Sequence, residues 1–245
     1  MDETEIELPE FAKSKIANLN IHWPVSIRTM EPRGIRLSVL VHEKKHEIQV
    51  NSHDFRAGAI RNSSIVHELC HASLAENVDV TFGTCLLSER VSEQDAEGAS
   101  VRDFFDVYHG SVELWVEDLL LRTERDMGVQ RIEGYFRRFD TLEKFNRANK
   151  TRRQTILSCA LVVALARRWN VSVPAVDWTR FFAPDEVPIL EGLVHHKENL
   201  PRLTLEKSTD LATLQNDMQH IARVFGMAIL PRFVEEAGTT VWVFD

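Results

Sequence analysis

Cysteine is scarce in this chain, with three in 245 residues: Cys70, Cys85 and Cys159. An odd number without framework spacing argues against disulfides and fits a reducing compartment. Long apolar runs are missing too. The longest, ILSCALVVALA at 156–166, falls short of the roughly 20 residues that span a bilayer, so no membrane span is expected and the run reads as a buried helix. Internal repeats and low-complexity segments are absent. The first residues, MDETEIELPEF, lack the basic and apolar regions of a signal peptide, which makes the cytoplasm the expected location. Positive charge is also in deficit. A net charge of −8 disfavours non-specific contact with nucleic acid or anionic membrane, so no nucleic-acid partner is expected. What remains is a composition of 44% hydrophobic and 27% charged residues, enough for one large domain or two small ones with a real core.

Periodicity places the elements. Residues 6–19 suggest a short amphipathic helix. IHWPVSIRTM follows, and Pro24 makes it an edge strand at best. GIRLSVLVH (34–42) and HEIQVNS (46–52) alternate as strands do. SSIVHELCHASLAENV (63–78) is free of Gly and Pro and apolar on more than one side, which predicts a buried helix capped by Asn62 or Ser63. A long helix, or two in succession, is expected over 100–128. Ser100 and Asp103 resemble a capping box there, Gly110 is a possible break, and Gly128 is a stop. A further helix is expected from about 140 to 169. Four prolines (Pro174, Pro184, Pro188 and Pro201) predict irregular chain over 172–206. A last helix capped by Ser208 or Thr209 and stopped by Pro231 precedes a closing strand, TTVWVF. Strands early and helices afterwards make an α+β pattern.

The chemistry sits in HELCH. Residues four apart share a helix face, so His67 and His71 can aim at one centre. Imidazole suits zinc, and a catalytic zinc takes three protein ligands and a water. Glu68 is turned by about 100° from His67, which places it beside the metal as a base for that water. The bland alternative is two hydrogen-bonded core histidines and a surface glutamate. The apolar setting of the helix weighs against it, because buried polar groups there need partners. A third ligand is required, and HGSVELWVEDLLLR (109–122) is the best source. Glu113 and Glu117 lie four apart among apolar residues, where acidic groups are costly unless paired or metal-bound. Glu113 is favoured as ligand, with Glu117 as the alternative. The other carboxylate, or Asp118, could orient a ligand histidine. Tyr108, His109 and Tyr135 are candidate oxyanion stabilisers. His195 and His196 read as surface residues of an irregular segment, Cys70 as a packed small hydrophobe, and KTRRQ (150–154) as a solvated helix face or a small partner site.

The order IRLSVLV, IQVNS, HELCHA, ELWVEDLLL resembles zincin-type metallopeptidases, and among them the ImmA/IrrE-like family. The resemblance covers roughly residues 30–125. It implies a zincin-like core, a small N-terminal sheet plus active-site helices, over 1–135, followed by a mostly helical C-terminal region over 136–245. It further implies a zinc-dependent peptidase acting on a protein or peptide, in a regulatory role with a narrow substrate range. His67 and His71 match the family's ligands, Glu68 its catalytic base and Glu113 its third ligand. The strand HEIQVNS resembles the edge strand on which such enzymes lay an extended substrate. VEDLLLR also resembles zincins whose ligand would be Glu117, and HELCHA resembles SprT-type proteases, for which His109 would be the third ligand. The reading from another class is a non-catalytic metal-binding or protein-interaction module.

Overall fold

The structure is a computed structural model that describes residues 5–30, 35–88, 98–139 and 152–244. It is α+β, and no described helix is long and apolar enough to cross a membrane. Two compact units are present. The first comprises residues up to Ser88 with Leu205–Lys207 and Val234–Trp242, and the second comprises most of the remainder from Glu89 onward. The division expected at 135/136 falls inside a helix, Arg125–Phe139.

In the first unit a four-stranded mixed sheet is built from β1 (Glu5–Ile6), β2 (Val25–Met30), β3 (Ile35–Leu40) and β4 (Lys45–Asn51), in the order β1-β2-β4-β3. Strand β4 runs parallel to β2 and antiparallel to β3. Two sequence expectations change here. Strand β2 is not an edge, since it pairs with both β1 and β4. Pro24 is tolerated because it precedes the strand, where its carbonyl still accepts from His46 N–H at 2.8 Å. Strand β4 is not an edge either, because it is covered on both sides. Among the described residues the sheet ends in β1 on one side and β3 on the other.

Helices α1 (Glu10–Ile16), α2 (Ser52–Arg56) and α3 (Asn62–Asn77) complete this unit. Helix α3 lies against β3 and β4, with α1 beside it. Its buried side chains include Val66, Leu69, Cys70 and Leu74, and the sheet adds the fully buried Ile27, Ile48 and Val50. The alternation read from the sequence therefore points inward. Arg61 stands at the N-cap of α3 without a side-chain hydrogen bond, so neither Asn62 nor Ser63 caps it. Glu76, near the other end of α3, accepts from the backbone N–H groups of His22 and Trp23 and pairs with buried His46 at 2.7 Å. After α3 the chain makes a 3-10 turn, Val80–Phe82.

The second unit is helical. It contains α4 (Ala99–Thr123), α5 (Arg125–Phe139), α6 (Arg152–Arg168), α7 (Glu186–Asn199) and α8 (Lys207–Val224). Helix α4 packs on α5 and α6, and α6 packs on α5 and α7. Gly98, in a left-handed conformation, stands before α4, not a Ser100–Asp103 box. Gly110 does not break the helix, which runs from Ala99 to Thr123. A Cβ there would come 3.2 Å from Leu157, so the glycine allows α6 to approach. Gly128 is inside α5, not a stop, and its missing Cβ makes room for Leu121. The irregular stretch expected over 172–206 holds helix α7. Pro188 falls in its first turn, where backbone N–H groups have no helical partner to lose. The cluster KTRRQ, as far as it is described, is an internal ion-pair set. Arg152 binds Glu186, Arg153 binds Asp103 and Asp106, and Gln154 binds Asp106. The expected start of this helix at 140 lies outside the described residues. Strands β5 (Pro231–Glu236) and β6 (Thr239–Phe244) form a C-terminal hairpin.

Candidate functional site

Helix α3 presents His67 and His71 one turn apart, with ring centroids 5.0 Å apart and planes at 82°. His67 is buried and His71 half-buried. The decisive contact is made by His71 Nδ1, which lies 2.6 Å from the carbonyl oxygen of Phe82. A carbonyl only accepts, so Nδ1 carries the proton and donates, and in the neutral imidazole the lone pair is then on Nε2. For His71 the orienting contact comes from the main chain. No side-chain pattern encodes it. The nearest signal in the sequence is Asp79, whose carboxylate caps the turn by accepting from Thr81 N–H at 3.0 Å.

Glu68 is 6% exposed. No ion-pair partner faces it among the described residues.

Helix α4 carries the remaining candidates. Glu113, Glu117 and Asp118 lie on it, with His109 one turn before Glu113. Glu117 is buried and engaged by Arg131, whose Nε and terminal nitrogen both donate to Oε1 at 2.9 and 2.6 Å. Burial by itself would lower the pKa of Arg131. The carboxylate of Glu117 outweighs it and holds the guanidinium above its ordinary value, with lesser help from Tyr135 and Glu113. Asp118 accepts from Trp169 Nε1 at 2.7 Å and from Arg202 at 2.8 Å, with Arg168 at 3.3 Å. It is a structural hub of the helical unit, not a partner for a histidine. Tyr108 is buried and stacked on Phe104. His109 is exposed and lies against Phe105 and Tyr108. Cys70 is fully buried.

His195 and His196 are not on irregular chain. Both lie on α7, where His196 binds Asp217 at 2.9 Å and stacks on His220 at 3.7 Å. Two histidines and a carboxylate can together hold one divalent cation, the donor set of several hydrolytic zinc sites. Comparison of the chain with protein-family models, with curated proteins and with solved structures finds no match to any of them.

Proposed function

We propose that the chain is a zinc-dependent peptidase with a zincin-like, ImmA/IrrE-like core. The observation that carries the reading is the pair His67 and His71 set one turn apart on α3, with ring centroids 5.0 Å apart and Glu68 buried between them in sequence. With Glu113 of α4 as the third ligand, the set would fit a catalytic site, which uses three protein ligands and keeps a position for water. The Nδ1–H bond from His71 to Phe82 supports it, because in the neutral imidazole it puts the lone pair on Nε2. The bound cation would supply Lewis acidity, polarising a scissile carbonyl and acidifying a water. Glu68 would take the proton of that water and deliver it to the leaving amine. Its buried carboxylate has no ion pair to compete for that proton among the described residues. An extended peptide cannot add to β4, which is paired on both sides. It would add to β3 at its Ile35–Leu37 end, because Thr84 Oγ1 already accepts the Val39 N–H.

The test is metal content and hydrolysis measured together. The purified chain should hold one zinc, and Glu68→Gln should hold it equally well. Cleavage of a degenerate fluorogenic peptide library should occur only with the parent. His67→Ala and His71→Ala should lose the metal. Folded parent that binds no zinc ends the proposal. Stoichiometric zinc with no cleavage by the parent, on the library or on unfolded proteins, would leave a metal-binding module.

A further inference from the structure

The turn that orients His71 is held from the opposite end of the chain. Asp79 Oδ2 accepts from Thr240 Oγ1 at 2.7 Å, and the Lys207 ammonium lies 3.1 Å from the same oxygen. The indole N–H of Trp242 donates to Thr81 Oγ1. Main-chain bonds run alongside, Trp242 N–H to Leu86 O at 2.8 Å and Ser88 N–H to Trp242 O at 3.0 Å. Thr81, Thr240 and Trp242 are at most 1% exposed. A buried polar group that loses its partner is costly, so this network has one favourable arrangement.

The turn is fixed on its other side as well. Gly83 follows Phe82 directly, and a Cβ on it would stand 2.5 Å from Val39 Cγ2 and 2.9 Å from the Ala75 methyl. The turn is thus seated against β3 and α3, with Thr84 accepting the Val39 N–H. Phe82 itself is fully buried. Its carbonyl therefore has little freedom, and it points at His71.

The geometry points to a positioning role for the C-terminal strand: Thr240 and Trp242 lock the Val80–Phe82 turn so that the Phe82 carbonyl fixes the tautomer and aim of His71. Neither residue touches a reacting group. Each acts through Asp79 or Thr81, then Phe82, then the imidazole. The consequence for metal affinity rests on the function proposed above, whereas the tautomer lock does not.

The full chain, nitrogen-15 labelled at histidine and free of metal, separates the two. At a pH where the imidazole is neutral, His71 in the parent should show a pyrrole-type Nδ1 and a pyridine-type Nε2. The signal is assigned by its loss in His71→Gln. Thr240→Val removes the hydroxyl at nearly constant volume, and Trp242→Phe removes the indole N–H. Both should shift His71 toward the Nε2–H form or a mixture, and Thr240→Ser should restore the parent pattern. Should Trp242→Phe fail to fold, Thr240→Val decides alone. A folded Thr240→Val protein that keeps the parent tautomer overturns the proposal. In competition with a chromophoric chelator, the two variants should bind zinc 10- to 100-fold more weakly, the usual effect of losing an orienting partner. A parent that binds no zinc, yet loses its tautomer in the variants, would remove the peptidase reading and retain the lock.

Discussion

The sharpest energetic test lies in the helical unit. Lys197 and Asp217 are both fully buried and face each other at 3.0 Å. The ammonium also donates to Gly110 O at 2.8 Å, and His196 holds the second carboxylate oxygen at 2.9 Å. Substituting Lys197→Met preserves most of the side-chain volume, so a cavity contributes little. The loss comes from the stranded carboxylate. Breaking a buried pair from one side costs about 3–5 kcal/mol, far more than an exposed pair would.

The effect has a pH signature. Burial pushes the Asp217 carboxyl up, but Lys197 and the His196 hydrogen bond outweigh burial and hold it below its ordinary value near 3.8. A lowered carboxyl contributes stability above its unfolded pKa and loses it as pH falls through the folded value. The parent should therefore lose this contribution only in strong acid. Without the lysine, burial prevails and the carboxyl takes up a proton more readily. The deficit of Lys197→Met should be largest at neutral pH and should narrow toward pH 5. Lys197→Met with Asp217→Asn should recover most of it. Urea-dependent hydrogen exchange in α7 and α8 measures the unit directly. A deficit below about 1 kcal/mol, or one of equal size at pH 7 and pH 5, would refute the reasoning, because it would mean that the pair is effectively solvated.

Gly128→Ala places a methyl 2.6 Å from Leu121 Cδ2 and 3.2 Å from Leu121 Cα. The overpacking cost of about 1–3 kcal/mol should exceed the gain of roughly 1 kcal/mol in helix propensity, read as a lower urea midpoint. Burial holds the His46 imidazole below 6.5, although Glu76 pulls the other way. The unfolded chain therefore protonates first, and this contribution, complete above pH 6.5, should decline as pH falls from there toward the folded value. His46→Gln should flatten the dependence of the urea midpoint on pH between 7 and 5, and an unchanged slope would contradict the assignment. Glu113→Ala should weaken zinc binding at least tenfold in the chelator assay while the fold persists. Glu117→Ala should instead destabilise the helical unit by about 3 kcal/mol, and the protein that stays folded should keep its zinc.

Local patterns carried most of the secondary structure. Leu37 and Val39, then Ile48 and Val50, recur at every second position because alternate residues of a strand share a face, and all four are buried. The HELCH helix is continuous because nothing in it breaks a helix. Other residues have effects that depend on position or on distant partners. Pro188 reads as a breaker, but in the first turn of α7 its missing N–H costs nothing. Gly110 and Gly128 read as punctuation, yet the space they leave is taken by Leu157 and Leu121. Which strand is the edge follows from β4 inserting between β2 and β3, and alternation says nothing about that order. Arg153 reads as solvated until α4 brings Asp103 and Asp106 to it.

The candidate ligands show the same division between local and distant information. His67, Glu68 and His71 are set by helical spacing, which a sequence displays directly. Glu113 and Glu117 share that spacing, so periodicity cannot choose between them. The distinction is electrostatic. Arg131 arrives from α5 and binds Glu117 at two nitrogens, while Glu113 acts on it only as a minor influence. Asp118 is likewise neutralised by Arg168 and Arg202. Two of the three carboxylates on this stretch of α4 are thus committed to guanidinium groups, whose charge a metal would have to displace at a cost of several kcal/mol. The two substitutions should therefore separate: Glu117→Ala breaks a buried pair with Arg131 and should show as lost stability, whereas Glu113→Ala should show as lost metal.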